Sequence, residues 1–141
     1  MAEKNIRLEI VTPERTVVSE DARIVVAPGI LGEFGVLTGH TPFLTTLKTG
    51  PLRFTDEKGT EHHIFVSGGF AEALPDKVTV LAESAERRKD IDLERAKTAL
   101  ERAEKRLAEE AKKTEIDYLR AKMALKRAIH RIRIAESGRS H

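Results

Sequence analysis

Four charged residues stand where two helical segments could build one site. Asp92 and Arg95 open a segment without Gly or Pro, while Arg127 and Arg131 lie near the end of a second. Arg127 and Arg131 are four apart and so share a helical face, where like charges repel by a few tenths of a kcal/mol. If the chain reverses near residue 112, the two ends meet and three guanidinium groups converge with one carboxylate. Guanidinium forks match phosphate oxygens bidentately, so such a cluster suits a polyanion. A second reading stays open from the spacing: Asp92 caps the first helix, and the arginines face solvent or Glu86.

Elsewhere the residue types offer little chemistry. Ser67 in Val66-Ser67-Gly68-Gly69 lacks the flanks of a nucleophile elbow and reads as a tight sheet crossing. His62 and His63 are adjacent, hence on opposite faces of a strand, and cannot readily share a metal ion. The stretch from Pro28 to Phe43 carries glycines at 29, 32, 35 and 39. A phosphate cradle needs its glycines to open a helix, and here no Gly-Lys-Ser/Thr or helical run follows. That loop reads as backbone that turns tightly, with Glu33 and His40 as ionisable members able to meet a partner. No catalytic residue and no metal ligand set is expected.

The elements that must position the charged cluster are written twice. Residues 91–107 and 116–132 agree at ten positions of seventeen. Both are rich in the strong helix formers Ala, Leu, Lys, Arg and Glu. Apolar residues alternate at steps of three and four: Leu93, Ala96, Leu100, Ala103, Leu107, then Tyr118, Ala121, Leu125, Ala128, Ile132, Ala135. This narrow stripe predicts a coiled-coil seam in an antiparallel hairpin. Its alanines bury little area, so the pair is a weakly held element suited to movement. Earlier in the chain, Ile6–Ile10 alternates as a half-buried strand stopped before Pro13. Thr16–Ser19, Arg23–Ala27, Leu52–Thr55, His62–Ser67, Phe70–Leu74 and Lys77–Ala82 read as further strands, with turns at Asp56–Gly59 and Pro75-Asp76. The fold class is therefore α+β: an N-terminal antiparallel β-sandwich over residues 1–84, then the helical hairpin over residues 85–141.

Composition breaks at the same place. All five prolines and eight of nine glycines precede residue 85. Residues 1–84 carry eight Lys/Arg against twelve Asp/Glu, and residues 85–141 carry seventeen against eleven. The chain is thus acidic first and basic second. With no cysteine there is no disulfide framework. No run approaches the ~20 apolar residues of a membrane span, and the N-terminus lacks the apolar core of a signal peptide. A cytoplasmic chain without membrane insertion is expected. Residues 116–135 hold six Lys/Arg and one Asp, but Tyr118 alone could stack on a base, so no nucleic-acid partner is expected.

Gly32-Glu33-Phe34-Gly35-Val36-Leu37-Thr38-Gly39-His40-Thr41-Pro42, then Val66–Phe70, Val78–Ala82 and Ala85-Glu86-Arg87 resemble, in order and over essentially the whole chain, the epsilon subunit of bacterial F-type ATP synthases. Thr38 departs from the family, which usually has Pro before Gly-His. The resemblance implies a sandwich of about ten strands that docks on the gamma subunit and the c-subunit ring, with Glu33, His40, Thr41 and Pro42 at the rotor contact. It implies a non-catalytic subunit of a proton-translocating synthase, peripheral on the cytoplasmic face of the bacterial plasma membrane. Its hairpin would fold on the sandwich or extend toward the alpha and beta subunits and inhibit ATP hydrolysis. Ile91-Asp92-Leu93-Glu94-Arg95-Ala96 also matches the family's ATP-binding motif, Ile/Leu-Asp-x-x-Arg-Ala. The resemblance therefore implies ATP as a regulatory ligand, with no catalytic cofactor. Its implied ligands are Glu86, Ile91, Asp92, Arg95, Ala96, Arg127 and Arg131.

Overall fold

The computed structural model describes residues 5–110 and 114–137. Nine strands and two helices follow in order. The strands are β1 (Ile6–Val11), β2 (Thr16–Gly29), β3 (Gly32–Val36), β4 (Phe43–Thr46), β5 (Gly50–Asp56), β6 (Glu61–Ser67), β7 (Phe70–Ala73), β8 (Lys77–Leu81) and β9 (Ser84–Arg87). A single 3-10 turn, Arg88–Asp90, precedes α1 (Leu93–Glu110) and α2 (Glu115–Ser137). The chain divides into two compact units, residues 1–88 and 89–141. The sequence boundary after residue 84 falls at β9, whose Ser84–Arg87 pair with β6 and complete the sheet.

Alternation builds the sandwich. Ile6, Leu8 and Ile10 are fully buried, and Arg7 faces out between them. β1 pairs in parallel with β8, setting Leu8 beside Val78 and Ile10 beside Val80. The other strand pairs are antiparallel, in the order β4-β7-β8-β1-β2-β5-β6-β9 with β3 on β2. Leu52 and Phe54 of β5 meet Ile64 and His62 of β6 in register, and Leu52, Phe54 and Ile64 join the core.

β2 departs from the two short strands expected over its length. It runs fourteen residues, pairing with β1 through residues 16–22 and with β3 and β5 through residues 22–29. A register shift between Ala22 and Ile24 marks its passage from one set of partners to the other. Such an irregularity bends a strand and sharpens its twist. This continuity, together with β3, β4 and β9, gives nine strands among the described residues rather than about ten. The β6–β7 turn uses Gly68 and Gly69 at φ +70° and +91°. A Cβ on Gly69 would collide with the Leu81 carbonyl, so this crossing requires glycine.

In the hairpin unit the small seam residues are the most deeply buried. Ala96, Ala103, Ala121 and Ala128 are at most 4% exposed, whereas Leu100, Leu107, Leu125 and Ile132 are half-buried. Ile134, off the expected stripe, is buried, and Tyr118 at the opposite end of α2 is exposed. The helices pack on each other along this seam. An alanine there forgoes roughly 0.8 kcal/mol for each methylene a leucine would bury.

Candidate functional site

Each helix starts on its own cap. Asp92 Oδ1 accepts a hydrogen bond from Arg95 N at 3.0 Å, and its carbonyl accepts from Ala96 N at 3.0 Å. The capping role open to Asp92 in the sequence is therefore real. The corresponding residue of the second copy, Asp117, does something else. Its backbone N donates to Thr114 Oγ1 at 3.2 Å, and Thr114 Oγ1 donates to Asp117 Oδ2 at 2.7 Å. The cap of α2 thus lies three residues ahead of the position that repeats Asp92.

Asp92 and Arg95 are exposed beside buried Ile91, Leu93 and Ala96. Arg127 and Arg131 are half-buried on α2, flanking fully buried Ala128. Because α1 and α2 pack side by side along their buried alanines, the start of α1 and the end of α2 belong to the same end of the hairpin. Glu86 belongs to the other unit, on β9 opposite Phe65 of β6. Arg127 also lines a groove with Arg106 and Arg120, the residues that the sequence repeat sets against Arg131 and Arg95.

The second group of expected residues lies on the sandwich. Glu33 sits on β3 and receives a two-pronged contact from Arg53 of β5, Nη2–Oε1 at 3.3 Å and Nη1–Oε2 at 3.4 Å. Both side chains are about half exposed. Between β3 and β4, His40 Nδ1 donates to the Thr41 carbonyl at 2.7 Å. The His40 ring meets Phe43 edge-on at 5.0 Å, and Phe43 meets Phe34 edge-on at 5.1 Å. Gly39 N donates to the Pro75 carbonyl at 2.7 Å, which pins the loop to the β7–β8 turn. Thr41 and Pro42 remain exposed. At the β2–β3 turn Leu31 is 98% exposed, an apolar tip that the glycine pattern alone did not single out.

Several further polar groups of the sandwich pair locally. Thr49 and Ser67 share a buried hydroxyl hydrogen bond of 3.0 Å, which accounts for Ser67 without a nucleophile. His62 stacks on Phe54 at 4.7 Å and donates to Asp56 Oδ2 at 2.8 Å. That bond, with those from Thr60 N and Lys58 N, holds the Asp56 carboxyl below the ordinary aspartate range. His63 takes a different partner, Glu61 at 2.9 Å. Burial, and then the positive charge of Arg88, lower its pKa below the ordinary histidine value, with Glu61 opposing. The two histidines therefore work on separate carboxylates.

A profile for the ATP synthase delta/epsilon chain β-sandwich domain matches residues 5–88, and one for the long α-helix domain of the same chain matches residues 89–136. The ATP synthase epsilon chain of Desulfosudis oleivorans is 68% identical over 107 residues, covering 76% of this chain and 80% of that protein. The epsilon chain of Brevibacillus brevis is 55% identical over 102 residues, covering 72% and 77%. A chain in the cryo-EM structure of the Euglena gracilis mitochondrial ATP synthase shares the fold at TM-score 0.76 and 24% identity, over 100% of this chain and 83% of that one.

Proposed function

Since the chain belongs to the ATP synthase delta/epsilon chain family, we propose that it is an epsilon subunit in the central stalk of a proton-translocating F-type ATP synthase. It is a non-catalytic stalk subunit. The sandwich docks on the gamma subunit and the c-subunit ring through Glu33, His40, Thr41 and Pro42, coupling rotation to ATP synthesis. The hairpin reaches toward the alpha and beta subunits and inhibits ATP hydrolysis. No helix among the described residues is long and apolar enough to cross a membrane, and the subunit sits peripherally on the cytoplasmic face.

The observation that carries this reading is the match of one family to both units in order, together with a helix seam whose most buried members are alanines. ATP binding to Glu86, Ile91, Asp92, Arg95, Ala96, Arg127 and Arg131 requires the helices to be folded back, because extension carries the two α2 arginines away from Asp92. A ligand biases two states only by its differential affinity. At roughly 100-fold above its dissociation constant the bias is about 2.7 kcal/mol. High ATP then favours the compact, permissive form. Calorimetry of the isolated protein with ATP, beside Arg95→Ala and Arg131→Ala, is the test. Saturable heat in the wild type, weakened in both variants, is expected; no heat at millimolar ATP removes the regulatory site. Hydrolysis by a reconstituted synthase should rise when the hairpin is deleted, and an unchanged rate removes the inhibitory role.

A further inference from the structure

On β6, His63 stands between two arginines. The strand registers set His63 beside Arg53 of β5 and Ile64 beside Arg87 of β9. Continuing the second register by one residue brings Arg88 level with His63, so Arg53, His63 and Arg88 form one row across the sheet. Leu52, Phe54 and Ile64 take the core side of these strands, which leaves the row on the outer face. Cross-strand neighbours stand roughly 5 Å apart at Cβ, and the His63 side chain is only 24% exposed. A positive charge placed there is screened far less than in open water.

The carboxylates of the sandwich unit that reach this row are Glu61, Glu33 and Glu86. Glu61 lies two residues back on β6, with Oε1 at 2.9 Å from His63 Nε2. Glu33 of β3 is engaged by Arg53 at 3.3 Å. Glu86 lies one row further along, opposite Phe65, roughly 7 Å up the strand. Burial opposes a proton on His63 first and Arg88 second; Glu61 favours the proton, and Arg53 opposes it more weakly than Arg88. Arg88 also has a special place in the chain. The ladder with β6 stops at Arg87, and Arg88 is both the last residue of the sandwich unit and the first of the 3-10 turn leading to α1. A push on Arg88 therefore acts on the joint between the two units.

We infer that His63 is a proton-operated latch on that joint: uncharged, it lets Arg88 rest level with it beside β6; charged, it drives Arg88 out and loosens the Arg88–Asp90 turn. The coupling is reciprocal. The factor by which a seated Arg88 weakens proton binding at His63 is the factor by which the proton unseats Arg88. That factor is about tenfold for each pH unit by which the Arg88 charge moves the His63 midpoint. His63 gains its charge as pH falls through its folded midpoint, below the ordinary value of ~6.5, so the joint is held at neutral pH and loosened in acid. Nucleotide is not required, since neither His63 nor Arg88 is among the proposed ATP ligands.

The test follows the imidazole C–H NMR signals of His63 and His62 in the full-length protein between about pH 8 and pH 5. Backbone order at Arg88, Lys89 and Asp90, from nitrogen relaxation, is measured over the same range. Arg88→Gln should raise the His63 midpoint and leave that of His62, which bonds Asp56 on the other face, where it was. Glu61→Gln should lower the His63 midpoint. Order at the joint should fall in step with the His63 titration in the wild type and stay high throughout in His63→Gln. The wild-type titration and relaxation stand by themselves if a variant fails to fold. A His63 midpoint that Arg88→Gln does not move overturns the inference. So does joint order that ignores the His63 titration, or that falls equally in His63→Gln.

Discussion

Glu33 and Arg53 meet fork to fork across three strands, and the energy of that meeting is small because water reaches both. An exposed pair of this kind contributes at most about 1 kcal/mol. Glu33→Ala should therefore change the urea stability of the isolated protein by about 0.5 kcal/mol or less, while lowering proton-coupled ATP synthesis in the assembled enzyme. A large stability loss with normal coupling contradicts the rotor-contact reading. Glu33 stands out from sequence as an ionisable residue in a glycine-rich loop; Arg53 does not, because twenty residues separate the pair and only strand register joins them. His63 has the opposite character. Its pKa is lowered in the fold by burial and Arg88, so the unfolded chain binds more protons once pH falls below the ordinary histidine value of ~6.5. The fold loses stability as pH drops from there through the folded pKa of His63. His63→Gln should flatten that loss in melts taken between about pH 7 and pH 5, and an unchanged slope refutes the account.

The two helices were legible because their period, composition and repeat all agree. Their seam was legible in its alanines: Ala96, Ala103, Ala121 and Ala128 are buried as the stripe requires, while Tyr118 is exposed and Ile134 is buried beside the expected Ala135. The close approach depends on those alanines. Ala128→Leu adds bulk to a position 1% exposed, and overpacking of this kind costs about 1–3 kcal/mol. The hairpin's helical dichroism should melt earlier, and a later or identical melt means the seam is looser than its burial implies. The strands β3 and β4 were not legible. Gly32-Glu33-Phe34-Gly35-Val36 has too little strand propensity by itself, and it is extended because β2 supplies a partner edge. Propensity describes a segment alone, and here the neighbour decides.

For the whole molecule, the composition break after residue 84 falls within β9, and the first compact unit runs to residue 88. Ala85, Glu86 and Arg87 pair with Val66, Phe65 and Ile64, closing the edge of β6. A fragment of residues 1–88 should melt cooperatively with β-type dichroism. A fragment of residues 1–84 loses that strand and should melt several degrees lower, since about 1 kcal/mol corresponds to roughly 4–8 °C in a domain this small. Equal melting of the two fragments means β9 contributes nothing to the sandwich; failure of the longer one to fold means the sandwich is not autonomous. The acidic and basic halves seen in the sequence coincide with these two units, so the charge asymmetry belongs to separable bodies.

The separate caps on Asp92 and Thr114 carry a mechanical consequence. Each helix seals its own leading turn with its own side chain, so neither borrows its start from the other. Were the pair to part as the proposed function requires, two finished rods would separate with no hydrogen-bonded turn to rebuild. The slow nucleation of helix from coil drops out of the opening step, whose barrier then comes from peeling the alanine faces apart. Opening should be fast, accompanied by little change in peptide dichroism and plainly visible to a distance probe across the seam.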